Sequence, residues 1–247
     1  MNNLLFVTFF LILTPLFSHG PDYNMAIDAK KRGDYKSALH YILKQLDADL
    51  KTYGKYADET LMCYSKAGYY SEKIGDYDKA LEYSFEALKI QKKLLKENDK
   101  TEASTYNNIG GIYSKQKKYE DALKYYFKSL EVQKIVFGAN HRMSSITYNN
   151  IAGIYRKQEK YNKALEYYTK ALEIRQDTLG KEHYTTALSY SNIGLVYFSQ
   201  GKYKKALAEL DKALKVQKNI FGEEHSFTKK TQGNIDYIKS EMIRSEK

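Results

Sequence analysis

Tryptophan is absent from this 247-residue chain, cysteine occurs once and proline twice. Each shortage excludes something. Without tryptophan, a core must be sealed by the 25 tyrosines and by aliphatic side chains. The single cysteine, Cys63, cannot close an internal disulfide, and no Cys/His spacing of the zinc-binding kind accompanies it. It reads as a small buried apolar residue. Pro15 and Pro21 both lie near the N terminus, so nothing beyond residue 21 forces a helix to break. Gly-rich phosphate loops, HExxH, GxSxG and a Cys–His pair in catalytic context are all missing. The reading is therefore a non-catalytic protein with no cofactor, no resident metal and no small-molecule substrate.

Long apolar runs are also scarce. Leu4 to Phe17 is a run of 14 residues, too short for a standard membrane span and the right size for the core of a signal peptide. Ser18 and Gly20 are small residues near a cleavage point, although Pro21 disfavours a cut directly after Gly20, and no Lys or Arg precedes Leu4. Residues 1–20 are expected to direct export. An uncleaved anchor or an apolar N-terminal cap are the competing readings. Dense blocks of one charge are lacking too. The net charge is +10, but lysines alternate with glutamates, as in Lys163-Ala164-Leu165-Glu166, which describes a solvated helical surface rather than a phosphate-binding stripe. Nucleic acid is not the expected partner.

What the chain does have is periodicity. Tyr35/Ala38, Tyr77/Ala80, Tyr119/Ala122, Tyr161/Ala164 and Tyr203/Ala206 recur at an unbroken step of 42 residues, the mark of stacked supersecondary units. Within one period, Tyr106, Ile109, Gly110 and Tyr113 fall on one face of a helix running from Thr105 to about Lys115. Gln116-Lys117-Lys118 makes a polar turn. A second helix runs from Tyr119 through Phe137, with Ala122, Leu123, Tyr126, Leu130 and either Val132 or Ile135 facing inward, and Gly138 ends it in the left-handed conformation. Gly54, Gly180 and Gly222 share its phase, and Lys96, which breaks the series, predicts a looser exit from the second repeat. Ala26, Gly68, Gly110, Ala152 and Gly194 share one phase of the first helix and predict close helix approach; Gly110-Gly111 is read as packing.

These residues resemble the tetratricopeptide repeats. Tyr106, Ile109, Gly110, Tyr113, Ala122 and Tyr126 follow that family's pattern. So do Tyr148, Ile151, Ala152, Tyr155, Ala164, Tyr168 and Ala171, and again Tyr190, Ile193, Gly194, Tyr197, Ala206 and Ala213. The usual period is about 34 residues. The longer one here, with Leu179-Gly180-Lys181-Glu182-His183 and Phe221-Gly222-Glu223-Glu224-His225, is similar to the kinesin light chain subtype. The first repeat departs from the pattern, with Asp22 and Ala29 at its two aromatic positions. The resemblance implies an all-α, right-handed superhelical solenoid of helix–turn–helix units over residues 21–247. Repeats would lie near 21–56, 61–98, 103–140, 145–182 and 187–224, with a capping helix at 227–243.

The resemblance also implies that first helices line a concave groove. Asn107, Asn108, Gly111, Ser114 and Lys115 would face it, followed one period on by Asn149, Asn150, Gly153, Arg156 and Lys157, and then by Ser191, Asn192, Leu195, Phe198 and Ser199. Asn24, Asn108, Asn150, Asn192 and Asn234 share one phase, broken by Lys66. Asparagine both donates and accepts, so such a row can grip the backbone of an extended peptide, a use the resemblance also implies. The competing role is bonding to neighbouring helices. Lys66, Lys73, Lys115, Arg156 and Lys157 make part of the groove positive, while Tyr69, Leu195 and Phe198 add apolar patches, which suits an acidic segment with a hydrophobic anchor. The lysine–asparagine carboxylate clamp of chaperone-binding relatives is not present, so capture of a free C terminus is not expected.

His141, His183 and His225 also recur at the repeat step. Homologous positions on stacked helices are about 8–10 Å apart, too far for one zinc with bonds of about 2.0–2.1 Å, so a turn or helix-start role is expected. The functional expectation is a scaffold for a protein or extended peptide. An exported sensory or regulatory module working with a separate signalling protein is the alternative.

Overall fold

The computed structural model describes residues 20–95, 99–138 and 140–245. The apolar leader and Lys96 lie outside them. Among the described residues there are eleven α-helices and no strand: α1 (Pro21–Lys31), α2 (Tyr35–Thr52), α3 (Asp58–Ile74), α4 (Tyr77–Leu94), α5 (Lys100–Lys115), α6 (Tyr119–Phe137), α7 (Arg142–Lys157), α8 (Tyr161–Leu179), α9 (Tyr184–Ser199), α10 (Tyr203–Phe221) and α11 (Ser226–Ser245). Each helix packs on the next in order, giving five antiparallel pairs and a final capping helix in a right-handed solenoid. The second helix of the third pair spans Tyr119–Phe137, as its periodicity predicts. Its partner begins at Lys100 rather than Thr105, because Asp99 accepts the Thr101 N–H at 2.8 Å and starts the helix a turn earlier. Val132 points inward and Ile135, 64% exposed, outward.

Histidine supplies the corresponding cap further along. The Nδ1 atoms of His141, His183 and His225 each accept the N–H two residues on, at 3.2 Å. Their recurrence therefore has a helix-start cause, and among the described residues no three metal-ligating groups come together.

The turn between the two helices of each pair places one residue at positive φ, namely Gly33, Gly75, Lys117, Glu159 and Gly201. Two of these five are not glycine, with φ of 61° at Lys117 and 59° at Glu159. A left-handed non-glycine residue costs roughly 1–2 kcal/mol, of which a glycine returns part through unfolded-state entropy. Lys117→Gly and Glu159→Gly should each stabilise the array by about 0.5–1 kcal/mol, read as a higher urea midpoint. The exit glycines differ from the expected left-handed helical cap. Gly138 has φ 87° and ψ 167°, and Gly180 and Gly222 match it within a few degrees, a region reserved almost entirely for glycine.

Small residues set the spacing within pairs, as predicted. A methyl group on Gly110 would sit 2.7 Å from the Tyr126 ring and 3.1 Å from the Ala122 carbonyl oxygen. Between pairs the seam is polar. Asp49, Gln91, Gln133, Arg175 and Gln217 stand one repeat apart on the second helices and are all buried. Opposite them on the next first helix stand Cys63, Thr105, Thr147, Ser189 and Thr231. The Cys63 thiol lies 3.2 Å from Asp49 Oδ2, Gln133 Nε2 donates to the Thr147 hydroxyl at 3.1 Å, and Arg175 Nη1 to that of Ser189 at 2.7 Å. Burial pushes the Cys63 thiol well up from its ordinary range, so it stays protonated. A further tie recurs outside the core: Gln116 to Asp78, Gln158 to Glu120 and Gln200 to Asn162, at 2.8, 3.0 and 3.1 Å.

Candidate functional site

First helices α3, α5, α7, α9 and α11 present equivalent faces one repeat apart. A cleft of about 700 Å³ opens between the N-terminal halves of α3 and α5, bounded by Leu61, Met62 and Ser65 of α3, Ser104 and Asn108 of α5, and Met143 at the start of α7. The first turns of these helices were missed by sequence reasoning. Met62, Ile146 and Leu188 share a phase, and the exposure of Ile146 and Leu188 places apolar side chains along that edge. Apolar recurrence on the face opposite the packing stripe was the available signal.

The asparagine rows are tied to one another. Asn150 Nδ2 donates to Asn107 Oδ1 at 3.2 Å, and Asn192 Nδ2 to Asn149 Oδ1 at 2.9 Å. Asn107 Oδ1 also receives the Thr147 hydroxyl at 3.3 Å, which links this face to the polar seam. These contacts consume one donor and one acceptor per pair and fix the amides in orientation, leaving the remaining amide groups for a guest. Asn108 is exposed and Asn234, on α11, is half-buried.

The cations sort into tied and free. Lys115 pairs with Glu72 at 2.7 Å. Lys66 lies 5.2 Å over the Tyr23 ring and Lys73 5.1 Å over that of Tyr69. Lys157 reaches the Ser114 hydroxyl at 3.4 Å and lies 5.9 Å over the Tyr119 ring. Arg156 is exposed beside the Tyr168 phenol. Lys31, Lys73, Lys115 and Lys157 thus form a file at the C-terminal turns of α1, α3, α5 and α7. In α9 the file gives way to Ser199, and the apolar end begins: the Phe198 ring meets those of Tyr203 and Tyr237 at 5.9 and 5.7 Å.

Gly111 and Gly153 form the floor of the middle of this face. Gly110 is explained by packing, but Gly111 is not. Nothing but the Tyr126 hydroxyl, at 3.8 Å, lies within 4 Å of where its Cβ would be, and Gly153 stands in the same relation to the Tyr168 hydroxyl at 3.7 Å. Burial raises the phenol of Tyr126 to about 12, and raises that of Tyr168 against the opposing pull of Arg156. Both remain neutral donors across physiological pH.

A family model for the tetratricopeptide repeat matches residues 20–93, 101–177, 143–219 and 185–235. No curated protein matches the sequence. Among solved structures, the nearly identical TPR-like repeats of a candidate kinesin light chain from Podosopora anserina are 16% identical, with TM-score 0.69, covering 81% of this chain and 95% of that one. BtubC (BKLC) from P. vanneervenii is 20% identical, with TM-score 0.67, covering 89% and 83%. YrrB, described as a TPR protein with an unusual peptide-binding site, is 18% identical, with TM-score 0.53, covering 87% and 92%. These likenesses establish the fold. Among the described residues no helix is long and apolar enough to cross a membrane.

Proposed function

The chain belongs to the tetratricopeptide repeat family, a fold that serves protein interaction, and on that premise we propose that it is a non-catalytic scaffold whose first helices hold an extended, acidic segment of a protein partner. The observation that carries this reading is the lysine file of α1, α3, α5 and α7. Within it Lys31 is paired with Asp28 at 3.0 Å and Lys115 with Glu72 at 2.7 Å. Lys73, Lys157 and the neighbouring Arg156 therefore supply the net positive charge that complements a negatively charged chain lying along the stack and steers such a guest. Oriented asparagines beside the file supply backbone recognition, and Leu195, Phe198 and Tyr237 offer an apolar end. The peptide-binding site described for YrrB is consistent with this use of the fold. Export by residues 1–20 belongs to the same proposal; a reporter fused after residue 30 that stays in the cytoplasm would remove it.

The test is selection from randomised twelve-residue peptides displayed on phage. The array should enrich sequences rich in Asp and Glu, and a labelled winner should bind less tightly as salt rises. Asn150→Ala combined with Arg156→Ala should raise its Kd at least about tenfold, the loss of a charge-assisted hydrogen bond being worth about 1.5–3 kcal/mol. Unchanged affinity in that double variant contradicts the groove assignment.

A further inference from the structure

At the groove floor, the residue on the first helix is matched to the one behind it on the second. Tyr69 is paired with Ser84, Gly111 with Tyr126, Gly153 with Tyr168, and Leu195 with Leu210. Glycine stands in the floor only where a tyrosine stands behind it. The two phenols belong to rings that are otherwise core, 4% exposed at Tyr126 and 3% at Tyr168, and each hydroxyl arrives at the gap its glycine leaves. Neither hydroxyl proton has an acceptor among the described residues. Unlike the Tyr70 hydroxyl, each keeps access to solvent through that gap, so it is a donor presented to the surface where the guest lies.

The two openings differ in charge. Tyr126 faces Glu72, which Lys115 already neutralises. Tyr168 lies beside Arg156, one helical turn beyond Gly153 on α7, with Arg175 behind it and no carboxylate among its charged neighbours. We infer that Gly153, the Tyr168 hydroxyl and the Arg156 guanidinium form a socket for one carboxylate side chain of the bound segment. The phenol O–H donates to one carboxylate oxygen and Arg156 donates to the other, while Gly153 lets the side chain descend to meet them. This rests on the groove reading above and adds a register to it. The Gly111–Tyr126 opening, lacking a free cation, has no such preference and serves as the internal control.

The experiment uses the same phage library of randomised twelve-residue peptides. Selected on the unmodified chain, the winners should share one position held by Asp or Glu. Tyr168→Phe removes one hydroxyl and keeps the ring, and it should reduce the preference for Glu over Gln at that position about tenfold. Gly153→Ala should do the same, because its methyl covers the phenol at an ordinary contact distance of 3.7 Å. It should also raise the thermal midpoint, since alanine outperforms glycine within a helix, so lost recognition there cannot be lost folding. Tyr126→Phe and Gly111→Ala should leave the preference intact. If Tyr168→Phe and Gly153→Ala select the same acidic position with the same preference, the socket is wrong and the groove stands. If the Tyr126 and Tyr168 variants lose it equally, the charge argument is wrong. If the unmodified chain enriches no acidic peptide, both readings fall.

Discussion

Gly194→Val is expected to destabilise the array by about 3 kcal/mol, the upper part of the range for overpacking a well-filled core. Even a single methyl at this position would lie 2.9 Å from Leu210 Cγ and 3.1 Å from the Ala206 carbonyl oxygen. The side chain could shift, but the backbone of α10 cannot without opening the pair. Gly194→Ala should cost far less. Ala152 occupies the same phase at zero exposure, and alanine recovers about 1 kcal/mol of helix propensity. Leu210 is itself fully buried, so Leu210→Ala alone should cost about 3–5 kcal/mol. The two changes remove and add volume at one contact. Gly194→Val with Leu210→Ala should therefore be more stable than the sum of the singles predicts, by about 1–2 kcal/mol. Urea unfolding of the four variants checks this, and strict additivity would show that the two residues do not share a contact.

Arg175→Ala is the second large loss, about 2–3 kcal/mol. Arg175 is 7% exposed and has no carboxylate partner. Its Nε donates to the Ser145 hydroxyl at 3.4 Å, and its Nη1 to the Thr185 carbonyl at 3.1 Å and to the Ser189 hydroxyl at 2.7 Å. One side chain on α8 thereby ties α7 to α9. Two effects oppose each other on truncation. Removing the cation relieves its desolvation, which also lowers the proton affinity of the guanidinium. Against that, alanine leaves a cavity the size of a long side chain and strips three acceptors of their donor. The cavity and the lost bonds outweigh the relief. Arg175→Gln should lose much less, because glutamine is what Gln91, Gln133 and Gln217 place at this phase. Hydrogen exchange should show the extra opening confined to α7–α9, as expected where units contact only their neighbours. An alanine variant as stable as the parent would mean that the seam carries no stability at this joint.

Much of the fold was legible because the residues that set it are apolar and repeat. Tyr119, Ala122, Tyr126 and Val132 define α6, and the Gly110 and Gly194 phase predicted the contacts that their absent side chains permit. Less was legible where a polar residue is buried. Asp49, Gln91, Gln133, Arg175 and Gln217 share a step with the apolar stripe, yet polarity alone assigns them to the surface, and burial follows only once the next pair closes over them. The start of α5 was placed late for a related reason: Asp99 acts through a backbone N–H group that no apolar pattern marks, whereas the recurrence of His141 and His183 did point to helix starts. On the candidate groove, the asparagine rows were visible, and bonding to neighbouring helices was the competing role expected of them, which Asn150–Asn107 and Asn192–Asn149 fulfil. Which amides pair was not legible, since the partners lie on different helices. The tyrosine hydroxyls escaped notice because Tyr126 and Tyr168 occupy core positions, and a core aromatic reads as packing until its far end is seen at the surface.

The central claim is that an elongated guest lies along the first helices. Hydrogen-exchange footprinting of the full chain, with and without a peptide selected on it, tests that most directly. Protection of α3, α5, α7 and α9, with α2, α4, α6, α8 and α10 unchanged, is the predicted result. Protection concentrated on the second helices, or on the end of α11 alone, would contradict it.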